Sequence, residues 1–192
     1  MVILFLGKHM KNRKIHDIPL FNTKTAHIYQ GAFGSGEHET TKACIRHLES
    51  INLDNKTVLD IGCGTGILGI CASLLGAKEV FGYDISYDAC KTALECNKLN
   101  GISNNHIICG LQDCINGSFD VIAANIYFDI LIDISGFIQA SLAPDGLVIL
   151  SGIPVEFNYD VRRHYMNVGF EVINLQIHED FTTVLLKDNT LS

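Results

Sequence analysis

Hydrophobic positions along this chain change period several times, and each change marks an element. "TVLDI", residues 57–61, is a short β-branched run ending at a glycine loop, and "ILGICASLL" after it is an apolar helix stopped by Gly76. "EVFGYD" reads as a second strand. "SYDACKTALECNKLN" follows as a helix, with Ser86 as N-cap, Asp88 in the first turn and Gly101 just past the end. "HIICG" and "FDVIAAN" are a third and a fourth strand, and Asp129 to Leu142 predicts one helix closed by the turn "APDG". "LVILSG" is almost wholly apolar, as a strand buried on both faces should be. A helix from Val155 to Val168 stops at Gly169, and "FEVINLQIHE" with "TTVLLKD" alternates as a hairpin around Asp180.

Five βα-type units closed by a hairpin predict an α/β fold: a doubly wound, mostly parallel seven-stranded sheet, Rossmann-like, with one antiparallel strand. Ahead of the sheet, "HETTKACIRHLESI" predicts a leading helix whose core positions are Ala43, Ile45, Leu48 and Ile51. Residues 1–30 read as a short N-terminal extension and 31–192 as the single domain. Ligands in such sheets bind at the carboxyl ends of the strands near the switch point. That rule points to Gly62–Gly66, Asp84, Asp113, Asn125 and Ser151–Gly152.

Composition narrows the classes. Hydrophobic residues make up 47% of the 192, enough for one well-packed domain. The apolar runs "MVILFL" and "IAANIYF" are too short to cross a bilayer, and the first precedes its basic segment where a signal peptide would follow one. A cytoplasmic protein with no membrane contact is expected. The net charge of −7 argues against direct nucleic-acid binding. Lys8, Lys11, Arg13 and Lys14 read as a solvated segment, with a nucleic-acid or acidic-partner arm as the alternative. The seven cysteines form no Cys-x-x-Cys pair and fall mostly in apolar patterns, so they read as small buried hydrophobes, and no metal is expected.

The glycine loop has two readings. Gly64, Gly66 and Gly69 satisfy G-x-G-x-x-G with Asp84 about twenty residues on, as a dinucleotide site would. One step earlier, Gly62, Gly64 and Gly66 form G-x-G-x-G, with Asp60 two residues ahead. A carboxylate in front of the loop is poorly placed for a pyrophosphate, which seeks the positive end of a helix. S-adenosylmethionine has no phosphate and carries an ammonium group and a sulfonium. Asp60 suits a loop that faces an ammonium group, and Asp84 suits the two ribose hydroxyls. The closing hairpin also fits a methyltransferase sheet. The loop therefore favours S-adenosyl-L-methionine over NAD(P), with an oxidoreductase as the weaker alternative. Asp113 is either a partner of the adenine amino group or an ordinary loop aspartate. His38 is either a proton relay or a solvent-facing loop residue.

"LDIGCGTG" resembles the first motif of class I methyltransferases. "AFGSGEHETT", "ALECNKLNGI", "AANIY" and "LSGI" resemble the PrmA-type enzymes, which methylate lysine and N-terminal amino groups of a large-subunit ribosomal protein. The likeness runs from Gly31 to Lys187, and "AFGSGEHETT" is its distinctive part. It implies cofactor contacts at Thr41, Gly62, Asp84 and Asn125; Phe33 and Gly34 in the same stretch, with Gly64 and Gly66, are further cofactor-binding candidates. Members of that family carry an N-terminal recognition domain, whereas some thirty residues precede the motif here. Cofactor and reaction type carry over on this basis; the ribosomal substrate does not.

For an amine acceptor, Asn125 at the end of the fourth strand is the candidate catalytic residue, its carbonyl accepting a hydrogen bond from the neutral amine. Its other use would be to cap or turn the strand end. Tyr127 and Phe128 either wall an acceptor channel or pack as core. The expected partner is a protein substrate, ribosomal in the family's case, or a small-molecule amine; a non-catalytic cofactor-binding protein is the remaining alternative.

Overall fold

A computed structural model describes residues 13–30 and 36–189. The chain runs β1 (Ile15–Pro19), β2 (Thr25–Tyr29), α1 (Glu39–Ser50), β3 (Thr57–Ile61), α2 (Ile67–Leu74), β4 (Glu79–Asp84), α3 (Tyr87–Leu99) and β5 (Asn105–Cys109). It continues with β6 (Phe119–Asn125), α4 (Phe128–Asp133), α5 (Ser135–Ala140), β7 (Leu142–Pro154), α6 (Asn158–Asn167), β8 (Phe170–His178) and β9 (Phe181–Asp188). Seven strands form one sheet in the order β5-β4-β3-β6-β7-β9-β8. β9 runs antiparallel to both its neighbours and the remaining contacts are parallel. This is the expected sheet, with its single reversed strand identified as β9.

Side-chain alternation splits the core into two layers. Val58, Val80, Val121, Ala123 and Ile149 face one way, onto Cys44 and Leu48 of α1 and Ile70 and Cys71 of α2. Leu59, Ile61, Ile122, Val148 and Leu150 face the other, onto Leu131, Ile138, Val161 and Tyr165 of α4–α6. Both faces of the central strands are therefore dry, which is why they read as nearly continuous apolar runs. Burying each valine, leucine or isoleucine among them stabilises the fold by about 1.5–3 kcal/mol.

Three local departures from the pattern have identifiable causes. The helix expected over 129–142 is two short helices that meet at Ile134, where φ is −93° and ψ 6°. Gly136 weakens helix propagation there, and the Ser135 hydroxyl is engaged by His164 Nε2 at 2.8 Å. Val155–Phe157 forms a 3-10 turn, so α6 begins only at Asn158. "APDG" is absorbed into β7 as a bulge, with Asp145 at φ +61° and the pairing to β6 shifted between Phe119 and Val121.

β1 and β2 form an antiparallel hairpin for which the hydrophobic pattern had no element. Ala26 and Ile28 are fully buried in the α1–α2 layer. Asn100 at the end of α3 closes the contact, its Oδ1 accepting from His27 N at 2.8 Å and its Nδ2 donating to His27 O at 2.7 Å. Among the described residues no helix is long and apolar enough to cross a membrane.

Candidate active site

β3 delivers the glycine loop to the switch point, where the sheet order turns from β4 on one side to β6 on the other. Gly62, Gly64 and Gly66 all take positive φ (+67°, +55° and +77°), and Gly66 is the N-cap of α2. A Cβ on Gly62 would sit 2.5 Å from Ile126 Cγ2, so this turn needs glycine for room as well as for conformation. Ile126 is not among the residues nominated from sequence; its approach to Gly62 depends on two strand ends meeting and carries no local signal.

The two acidic residues divide their work. Asp60 is 2% exposed, and its Oδ2 accepts from Gly69 N at 3.1 Å, tying β3 to the first turns of α2 from behind the loop. Burial pushes its carboxyl up to about 7, and the nearby Asp84 charge adds to the rise. Asp84 ends β4 on the loop's open side. Its Oδ2 accepts from Gly64 N at 3.0 Å and its Oδ1 from Ser86 N at 2.8 Å, and each oxygen keeps a lone pair for a further donor. Asp113 lies in the 3-10 turn Gln112–Cys114 beyond β5, exposed, four residues past the Cys109 that pairs with Asp84.

Asn125 ends β6 and is half-buried. Its Nδ2 donates to Thr41 Oγ1 at 3.3 Å, and Thr40 Oγ1 lies at 3.5 Å. Thr41 is 3% exposed, in the first turns of α1. That end of α1 is fastened to the sheet a second time, because Ser151 Oγ donates to Thr40 O at 3.4 Å and shares a 2.6 Å hydrogen bond with Thr183 Oγ1. With Nδ2 engaged, Asn125 Oδ1 has no hydrogen-bond partner among the described residues and lies 3.3 Å from where a Cβ on Gly152 would be. Gly152 takes φ +79°, and a side chain there would also collide with Ile126 O.

The remaining nominees divide. Tyr127 is 69% exposed, while Phe128 stacks on Phe157 with ring centroids 4.0 Å apart and planes 8° from parallel. Phe157, twenty-nine residues away, gave no sign in the sequence. His38 is exposed at the N-cap of α1 and makes no side-chain capping bond. Phe33 and Gly34 lie outside the described residues. Gly36 just after them is clasped: a Cβ there would meet Ile18 Cδ1 of β1 at 2.7 Å and Ile67 Cδ1 of α2 at 2.8 Å. A cavity of about 560 Å3 opens between β1, Glu37 and α1, and none of the nominated residues lines it. We place the site by its polar groups instead, because a cleft open to solvent at strand ends need not form an enclosed cavity. Among the described residues no three His, Cys, Asp or Glu side chains gather as a metal site would require.

The family model described as ribosomal protein L11 methyltransferase (PrmA) matches residues 30–189. Curated ribosomal protein L11 methyltransferases from Caldanaerobacter subterraneus and Acetivibrio thermocellus are 39% and 40% identical over 157 residues, 81% of this chain and 50% of each relative. The chain thus spans about half the length of the curated relatives it matches. A crystal structure of ribosomal protein L11 methylase from Lactobacillus delbrueckii subsp. bulgaricus superposes with a TM-score of 0.77 at 30% identity, covering 84% of this chain and 89% of that one. A Thermus thermophilus 16S rRNA methyltransferase bound to AdoMet and guanosine shares the fold, with a TM-score of 0.72 at 17% identity over 91% of this chain and 50% of that one.

Proposed function

This chain belongs to the family described as ribosomal protein L11 methyltransferase (PrmA), and from that premise we propose that it transfers a methyl group from S-adenosylmethionine to an amino group of a protein. The observation that carries the reading is the Thr41–Asn125 hydrogen bond, which leaves the amide's carbonyl oxygen without a partner among the described residues, at the strand end next to the glycine loop. The methyltransferase unit is residues 31–192, with 1–30 as an extension whose hairpin packs into the same layer.

The donor set fits the cofactor. Residues 57–69 contain no lysine or arginine that would meet a pyrophosphate, and the Asp84 carboxylate at the end of β4, bonded to Gly64 N of the loop, suits a cationic molecule. Asp84 would hold the ribose hydroxyls, the positive-φ glycines would let backbone approach closely, and Asp113 would face the adenine edge. When bound, S-adenosylmethionine supplies a methyl carbon already activated by positive sulfur, so the protein's task is positioning.

A lysine amine titrates near about 10.4 and is charged in neutral water. Removal from water beside Ile126 and Phe128 lowers that value, and the proton leaves to solvent. Asn125 Oδ1 then accepts a hydrogen bond from the neutral amine and turns its lone pair toward the glycine loop.

The names of the relatives make a ribosomal protein the first client to try, which would place the work in the cytoplasm. The test has two arms. Thermal unfolding with S-adenosylmethionine, S-adenosylhomocysteine and NAD should show stabilisation by the first two; ligand at a hundredfold excess over Kd adds about 2.7 kcal/mol. Labelled-methyl transfer to ribosomal proteins should then proceed, and Asn125→Ala should lower turnover far more than cofactor affinity. Stabilisation by NAD alone would overturn the reading, and transfer only to small amines would replace the protein substrate.

A further inference from the structure

Immediately beyond Asn125 and Gly152, three separate stretches of chain converge on the carboxyl edge of the sheet. Residues 126–133 enter α4, residues 154–160 turn into α6, and residues 178–181 form the β8–β9 turn. Val155 N donates to Asp180 O at 3.0 Å, Pro154 pairs with Phe181, and Phe128 stacks on Phe157, so the three form one surface. Its apolar content is high for a water-facing region: Tyr127, Val155, Phe157, Tyr159 and Phe181 are all exposed. An apolar patch of this kind, rimmed by polar groups, marks a contact surface.

The rim says what the contact is. Asp129, Glu156, Asp160, Glu179 and Asp180 are all exposed, and the three stretches contain no lysine or arginine. Two arginines reach this rim and both are engaged there: Arg46 lies 2.9 Å from His178 Nε2, and Arg162 Nε donates to Asn158 Oδ1 at 2.9 Å. A polyanion such as RNA or an anionic lipid surface would be repelled here. So would a second copy of this chain, which carries −7 overall and would bring the same acids face to face. A cationic, flexible segment meets the opposite conditions: its charges face carboxylates, and its lysine stems and ammonium groups lie against aromatic rings.

We propose that this aromatic, acid-rimmed surface docks a lysine-rich extended segment of the protein substrate and feeds one lysine side chain to Asn125. The proposal rests on the reading of Asn125 as the acceptor position. It gives the chain a substrate-recognition surface of its own within residues 126–181. Phe157 and Phe128 form the platform under the segment, and the five carboxylates set its charge preference. Among the described residues no hydrogen bond or ring contact joins either group to Asp84 or Gly62–Gly66, so docking and cofactor binding are separable.

The test uses a fluorescein-labelled glycine–alanine peptide with one central lysine flanked by lysines and arginines, and a control flanked by glutamates. Fluorescence anisotropy on the full chain, with S-adenosylhomocysteine present, reads docking without turnover. The basic peptide should bind at least about tenfold more tightly than the control, with affinity falling steeply as salt rises. The variant E156Q/D160N/E179Q/D180N alters only exposed side chains. It should lose about tenfold in peptide affinity and flatten the salt dependence, with stabilisation by S-adenosylhomocysteine unchanged. Phe157→Ala should weaken docking while keeping the salt dependence. Equal binding of the two peptides, or an unaltered salt dependence in the fourfold variant, would overturn the proposal. Charge-selective docking without any methyl transfer would support the surface and overturn the activity assigned above.

Discussion

The side-chain amide of Asn125 is held by the hydroxyl of Thr41 at 3.3 Å, across eighty-four residues of sequence. On the proposed reading of Asn125 as the acceptor position, the bond would make the first turns of α1 part of it, by deciding which end of the amide faces an incoming amine. Thr41→Val keeps shape but removes the acceptor, leaving Nδ2 free to rotate into the place of Oδ1. Turnover should fall by about tenfold to a hundredfold, on the scale of a lost orienting hydrogen bond at a reacting group. Thr41→Ser should restore most of it; equal rates for all three proteins, measured with labelled methyl donor, would dissociate the bond from catalysis.

Gly152→Ala should damage the same amide from the other side. The added Cβ requires a side chain at φ +79° and meets both Ile126 O and Asn125 Oδ1. Thermal unfolding should show a loss of about 1–3 kcal/mol from strain at a left-handed position, and turnover should fall with it. Gly101 offers a control: its φ is +66° with nothing within 4 Å of a Cβ. Gly101→Ala should therefore cost only the conformational part and leave catalysis alone.

Asp84 ties Gly64 N and Ser86 N at once. Asp84→Asn retains one acceptor and places an N–H against a backbone N–H or a ribose hydroxyl. Cofactor affinity by calorimetry should drop by about tenfold or more, matching the loss of a charge-assisted hydrogen bond. The unfolding midpoint without cofactor should move little by comparison. A wild-type affinity would remove Asp84 from the cofactor site.

Asp60 predicts a pH dependence of stability. Its folded value is raised from 3.8 to about 7 by burial, so the folded state holds a proton that the unfolded chain releases. This contribution is fully present below pH ~4 and is lost as pH rises toward ~7, since stability falls wherever the folded state binds more protons. Denaturant titrations between those limits should show wild type losing stability that Asp60→Asn retains, because an asparagine carbonyl still accepts from Gly69 N. Parallel curves for the two proteins would mean that the carboxyl titrates normally.

Elements with an internal period were legible from sequence, and those defined by distant partners were not. The central strands β3, β6 and β7 announce themselves because both faces are buried, β8 and β9 by their alternation, and the loop at Gly62–Gly66 by three glycines that all take positive φ. The β1–β2 hairpin is two five-residue strands in a mostly polar stretch, too short to stand alone in water. Its order comes from Asn100 and from the layer under Ile28. The break at Ile134 depends on His164 reaching Ser135, and Phe157 on a ring stacked from another strand end. Asn125 could be placed by its strand end, but its tie to Thr41 emerges only when α1 lies across the sheet.

β9, the last strand described, occupies an interior place between β7 and β8. A chain stopped short of Phe181 would therefore leave a gap in the middle of the hydrogen-bonded array. It would strip β7 of its partner from Leu147 to Pro154 and leave β8 attached to nothing it pairs with here. The bared apolar edge of β7 is a template for pairing with other chains. During synthesis, that edge stays open until residues 181–188 have emerged, so this fold completes late, and its unfinished forms are the ones most exposed to aggregation.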